Sequence, residues 1–332
     1  MHNRLTGFCI AVSLGFAIVA TPSIADDFGN YLSTLKDKAT NSGVSSQSLD
    51  AHFSKIKPFH RAKVNTDKTA AALNTSSELN LETYLPATVP ESLVQQARAL
   101  VKIHGALLEE IGQRYQVQPR FIVALWGINS HFSERQGGLP ALSVLATKAY
   151  EQTSADSEQL VFDGFKVIKQ FGLQYSQLLS NAEGKLGGPG FTTSQYLQYG
   201  KDGDKDGQVD IWHTQADVFA SIAYFLQQHG WKEAETWGRQ VKAPADIDVT
   251  QTGIDSRRSF EQWQGMGVRR FDGSDLPKRA DMQISLIMPE GVTGRHYLIY
   301  DNYRALLNWH NDDYFALAVA YLSERIKYPA IK

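Results

Sequence analysis

The stretch DGDKDGQVDIWH sets Asp202, Asp204 and Asp206 at alternate positions, followed by Gly207, Gln208, Asp210 and His213. Alternating carboxylates can wrap a hard cation, and a glycine at the sixth position permits the sharp turn, so the spacing follows an EF-hand calcium loop. The twelfth position of such a loop carries a bidentate acid; here it is His213, and imidazole is a poor calcium ligand. Two readings stay open: a weak structural Ca2+ site, or an acidic turn that caps the following helix and holds no ion. Just upstream, Gly184, Gly187, Gly188 and Gly190 crowd into GKLGGPGF, which matches neither a dinucleotide fingerprint nor a P-loop. Such a run lets backbone approach a sugar or another helix closely. Tyr196, Tyr199, Trp212 and Tyr224 follow it, and Trp309, Tyr314 and Phe315 lie near the end; rings of this kind pave a carbohydrate cleft or fill a core. A third cluster, Asn129, Ser130 and His131, follows directly on the apolar run FIVALW. The chain has no HExxH, CxxC or GxSxG, and its nine histidines show no metal-ligand spacing.

These residues need elements to hold them, and the periodicity predicts mostly helices. Pro119 suits a first helical turn, and Phe121 to Trp126 is apolar on every side, which predicts a helix buried all round that delivers Asn129 into something polar. A long helix is expected from Pro90 to about Arg114, with Leu93, Ala97, Leu100, Ile103, Leu107 and Ile111 on one face. Further helices are expected near 26–42, after Ser45, through Leu142 to Ala149, over 157–180, over 214–229 and over 312–327, with 56–82 extended across the body. Gly137 to Pro140 reads as a turn. QISLIMP (283–289) and RHYLIY (295–300) read as two strands. The fold class is therefore mainly α, α+β overall, with a small β element near the C-terminus: a helical domain over 26–240, whose part 26–88 wraps the body, and a β element plus closing helices over 241–332.

The 332 residues are 42% hydrophobic with a formal net charge of -2, ample for a sizeable core and without the basic field of a nucleic-acid binder. The start MHNRLTG, the apolar run FCIAVSLGFAIVA and the small-x-small Ser23-Ile24-Ala25 form a secretory signal peptide over residues 1–25, cleaved near Ala25; the other reading is an uncleaved anchor. Cys9, the only cysteine, lies inside it and does not sit as a lipid-attachment site. A cysteine-free exported protein fits the periplasm, with no stable membrane insertion.

With these residues placed, the chain resembles the lytic murein transglycosylase B family, periplasmic enzymes that cleave peptidoglycan glycan strands and have a lysozyme-like α-helical domain. RYQVQPRFIVALWGINSHFS is similar to the family's RYGVPPxIIVAIWGVETxYG, LPALSVLATKAY to FPVLDALATLAF, and GKLGGPGFTTSQYLQYGKDGDKDGQVDIW to GAMGxGQFMPSSYxxYAVDxDGDGxxDLW. ADVFASIAYFLQQHGW and WHNDDYFALAVAYLSERI match its later helices. The resemblance implies a single catalytic glutamate, that of GVET, which protonates the glycosidic oxygen and then, as carboxylate, takes the muramic 6-hydroxyl proton to close a 1,6-anhydro ring. That glutamate aligns with Asn129, whose amide neither supplies nor removes a proton near neutral pH.

Other positions depart too. The family's substrate-contacting glutamine of GQF aligns with Gly190, its upstream serine with Asn181, and its arginines have no counterpart in YEQTSA (150–155). Tyr84, Tyr196 and Tyr224 match family tyrosines. The resemblance and the aromatic content make Tyr84, Asn129, Ser130, Asn181, Gly190, Phe191, Tyr196, Tyr224 and Trp309 the expected substrate-binding set. Glu134 and Glu183 are the candidate replacement acids, although a continuing helix would turn Glu134 about 140° away from Asn129. Three functions follow: an impaired relative that binds peptidoglycan strands or cell-wall proteins, an active lytic enzyme with a displaced acid, or a scaffold that docks protein partners.

Overall fold

The structure is a computed structural model that describes residues 24–59 and 80–328. All but the last two residues of the expected signal peptide, and residues 60–79 of the segment expected to run extended across the body, lie outside the described residues. Nothing in the described chain is a helix long and apolar enough to cross a membrane.

The helices run α1 (Ile24–Asn41), α2 (Ser46–His52), α3 (Leu81–Thr88), α4 (Glu91–Ile103), α5 (Gly105–Tyr115), α6 (Pro119–Ser130), α7 (Ala141–Gln152), α8 (Ala155–Gln170), α9 (Thr193–Tyr199), α10 (Gln215–Gln228), α11 (Phe260–Gly265), α12 (Asp301–Leu307) and α13 (Asp313–Lys327). Side-chain caps start several of them: Ser45, Asn80, Ser154 and Asp312 each accept a backbone N–H of the first turn, and Thr192 with Gln195 forms a complete capping box on α9.

α6 is the axis. Every residue from Phe121 to Ile128 is buried, because α4, α5, α10 and α13 pack around it. The helix stops at Ser130 because His131, Phe132 and Ser133 all take left-handed backbone conformations (φ 48°, 54° and 75°). That reversal folds the Phe132 ring back onto Gly127, where any Cβ would lie 2.7 Å from it; the glycine is what admits the ring.

Three expectations need correction. The helix expected from 90 to 114 is two helices, broken at His104 (φ -102°, ψ 17°), whose ring meets Phe219 edge-on at 5.5 Å. The break separates a part packed on α6 and α13 from a part packed on α10, and it leaves Ile103, expected on the buried face, 72% exposed. Residues 81 and 82, expected to end the extended segment 56–82, instead open the helix Leu81–Thr88, since Asn80 caps it and Leu81 and Leu85 are buried. The helix expected to reach 180 ends at Gln170; the chain turns at Gly172, and Leu179–Ser180 (β2) pairs antiparallel with Leu139–Pro140 (β1), which had read as a turn.

The β element is a five-stranded antiparallel sheet in the order β4-β6-β7-β3-β5, with β3 Gly238–Lys242, β4 Arg257–Arg258, β5 Arg269–Arg270, β6 Ile284–Ile287 and β7 His296–Ile299. The two expected strands are its centre, in register Ser285↔Ile299 and Ile287↔Tyr297. Their alternation splits the sheet between two cores. Ile287, Tyr297 and Ile299 join the main helical core, while Ile284, Leu286 and Leu298 face Phe260, Trp263 and Val268. Both faces are thus apolar, and the strands read as continuous hydrophobic runs.

Candidate active site

The polar end of α6 meets the glycine-rich hairpin. Leu186 pairs with Phe191 across the turn, and Gly190 N–H donates to Gly187 O at 3.0 Å. Two side chains tie the helix end to this turn: Ser130 Oγ donates to Gly188 O at 2.6 Å, and Asn129 Nδ2 donates to Pro189 O. Asn181 builds the other wall, its Oδ1 accepting the backbone N–H groups of Glu183 (3.0 Å) and Lys185 (2.9 Å). Between them is a cavity of about 200 Å³ that brings together Asn129, Ser130, Asn181, Gly190 and Glu183.

Asn129 and Gly190 are fitted to each other. Gly190 has φ +65°, and a Cβ built on it would lie 2.0 Å from Asn129 Nδ2, so no side chain fits there while the amide keeps its bond. Of the two candidate acids, Glu183 is exposed and lines the cavity, while Glu134 faces α4, where Gln96 Nε2 lies 3.5 Å from its Oε1. The reversal after Ser130, rather than a continuing helix, aims Glu134 that way.

The aromatic candidates divide. Phe191 and Tyr196 are fully buried and Trp309 nearly so: Trp309 packs on Phe191 (5.1 Å) and Phe225 (4.6 Å), and Tyr196 OH donates to Val209 O at 2.5 Å. The structure places these three behind the cavity wall, not on its surface. Tyr224 is half-buried beneath Lys201, whose Nζ is 4.0 Å from the ring centre, and Tyr84 meets Tyr314 edge-on at 5.1 Å. Neither lines the Asn129 cavity.

The acidic loop folds through its own backbone. Asp202 accepts from Lys205 N (2.6 Å) and Gly207 N (2.8 Å), Asp204 from Asp206 N (3.3 Å), and Asp206 from Gln208 N (2.8 Å). The carboxylates that converge are Asp202, Asp204 and Asp217, with one oxygen of each within 4.8 Å of the others. Asp206, Asp210 and His213 stand outside that group; Gln208 is exposed, and His213 turns outward to pair with Asp210 at 2.9 Å. Asp217, from the first turn of α10, closes the loop from inside and accepts the N–H groups of Gly203 (2.7 Å) and Asp210 (2.6 Å). Burial, with the charges of Asp204 and Asp202 adding to it, pushes its carboxyl up to about 6. Three converging hard oxygens of like charge suit a divalent cation such as Ca2+.

A family model described as Transglycosylase SLT domain matches residues 27–324. The chain belongs to the SLT transglycosylase family. The membrane-bound lytic murein transglycosylase B of Escherichia coli K12 is 23% identical over 226 residues, 66% of this chain; the chain spans 60% of that relative's length. The crystal structure of SltB3 from Pseudomonas aeruginosa in complex with NAG-anhNAM-pentapeptide is 28% identical, with a TM-score of 0.79, and covers 90% of this chain and 79% of that one. Escherichia coli Slt35, whose structure is in complex with calcium, is 21% identical with a TM-score of 0.73, covering 91% of this chain and 94% of its own. The lysozyme-like, mainly helical architecture is that of the SLT transglycosylases.

Sequence reasoning missed several groups at this SLT-type site. Arg135, Gln136, Lys185 and His310 also line the cavity. The signal for Lys185 was present, since GAMG in the family pattern reads GKLG here. Burial, and secondarily the charge of Lys148, hold the Lys185 ammonium below the usual lysine range, and burial lowers His310, with Lys185 adding. Asp217 was legible as an acid in the first turn of the helix that the loop feeds.

Proposed function

We propose that this chain is a periplasmic, exported peptidoglycan-binding relative of the lytic transglycosylases whose glycan-cleaving activity is abolished or severely reduced. The observation that carries this reading is Asn129: at the position of the family's acid stands an amide that spends a proton on Pro189 O and has no room to yield to a side chain at 190. Losing a general acid–base group removes about 10²–10⁴-fold in rate. The wall target rests on family membership and on the muropeptide fragments in the SltB3 complexes. We assign the Asp202, Asp204 and Asp217 cluster a structural Ca2+ that braces the loop against α10, as the calcium of Slt35 suggests.

The deciding experiment is digestion of purified sacculi followed by a search for 1,6-anhydro muropeptides, with sedimentation on insoluble peptidoglycan alongside. Binding without anhydro product is expected. A protein left in the supernatant would favour a scaffold for protein partners. A second reading has one observation in its favour, Glu183 at the cavity's edge. Anhydro product that survives Asn129→Ala and vanishes in Glu183→Gln would establish it and end the impaired-enzyme reading.

A further inference from the structure

The cavity beside Asn129 has the charge balance of an anion site. Asn129 and Gly190 are neutral, Lys185 reaches in from the hairpin and Arg135 from the turn after α6, and among the described residues Glu183 is the one carboxylate lining it. Lys185 is half-buried, and the charge that bears on it is another cation, Lys148. Among the described residues neither Lys185 nor Arg135 is ion-paired with a carboxylate, whereas Lys148 has its own bond, to Glu183 O at 2.8 Å. Partial burial of an ammonium with no carboxylate partner among the described residues is costly and is relieved by a bound anion. At about 200 Å³ the cavity is below the roughly 300–1,000 Å³ of a drug-sized site, enough for one acidic group and the atoms that carry it.

We propose that this cavity is a carboxylate-binding site, in which Lys185 and Arg135 hold an acidic group of the glycan or of its attached peptide. The proposal deepens the wall-binding reading and rests on it for the choice of ligand. Planar carboxylates suit the guanidinium of Arg135 at the mouth and the point charge of Lys185 within. A site that elsewhere in the family uses a carboxylate on a sugar becomes here a site that uses cations on an acid.

The test compares N-acetylmuramic acid, which carries a lactyl carboxylate, with neutral N-acetylglucosamine, and an acidic stem peptide with its fully amidated form. Each is titrated into the full chain by calorimetry or NMR. Sacculi with free and with chemically amidated carboxyls are sedimented in parallel. The carboxylated probes are expected to bind roughly 10–100-fold tighter than the neutral ones, as for a charge-assisted hydrogen bond. Lys185→Met should erase the difference and Lys185→Arg should keep it. Arg135→Gln, at an exposed position, should reduce it in a protein whose fold is unaltered. Muramic acid or peptide as the preferred probe tells which carboxylate is held. Equal affinity for charged and neutral probes, or discrimination unchanged in Lys185→Met, overturns the proposal. Discrimination among the small probes with no sedimentation on any sacculi supports the carboxylate site and counts against the wall-binding reading alone.

Discussion

The fit between Asn129 and Gly190 makes a double-mutant cycle the most direct check on the rewired site. Gly190→Ala places a Cβ 2.0 Å from Asn129 Nδ2 at φ +65°. The left-handed backbone costs an alanine about 1–2 kcal/mol. The methyl also drives the amide off Pro189 O, and leaving that buried carbonyl unpaired costs roughly 1–3 kcal/mol. The single variant should therefore lose about 2–5 kcal/mol. Asn129→Ala removes the same hydrogen bond directly, for about 1–3 kcal/mol. In the double variant the carbonyl is orphaned once rather than twice, so the total stays near 2–5 kcal/mol instead of the summed ~3–8. The expected coupling is about 1–3 kcal/mol, read from urea unfolding midpoints with unchanged slopes. Additivity to within about 0.5 kcal/mol would show that the two residues do not share one space, and the account of why this cavity excludes the family's side chain at 190 would fail.

Four further outcomes are expected. Asn129→Glu alone should release little or no 1,6-anhydro product from sacculi, because the new carboxylate faces Pro189 O and position 190 still lacks its side chain; recovery to the level of an active SLT enzyme would show the groove still competent. Calcium should raise the thermal midpoint relative to chelator, Asp217→Ala should abolish that shift, and His213→Ala should leave it, because His213 points away from the converging oxygens. In chelator, Asp217 binds a proton in the folded chain below about 6 but in the unfolded chain only below 3.8. Stability should thus fall by up to about 3 kcal/mol as pH rises from 4 to 7, and Asp217→Asn should flatten that slope in urea titrations. Tyr196→Phe should cost about 1–2 kcal/mol through the lost bond to Val209 O while sedimentation on sacculi is unchanged, since the ring lies in the core.

The elements of the helical body were legible because hydrophobic period is a local property. The all-apolar FIVALW read as a buried helix, the helices expected over 214–229 and 312–327 lie within one residue of α10 and α13, and the central strand pair showed itself as two short apolar runs. Two-residue strands such as Arg257–Arg258 carry no period and exist only because a neighbour supplies their partners. The break at His104 was equally hidden, since an unbroken apolar stripe does not say that its two halves face different helices.

For the site, order along the chain established that Asn129 ends a buried helix, that a glycine-rich run follows, and that an acidic loop precedes α10. Distance through space decided the rest. Three left-handed residues after Ser130 turned Glu134 toward α4, packing drew Tyr196 and Trp309 into the core, and Asp217 replaced His213 because a side chain one helical turn beyond the loop reaches back into it. Which charges share a cavity is a property of the folded surface, so only tertiary structure set Lys185 and Arg135 beside the amide at 129.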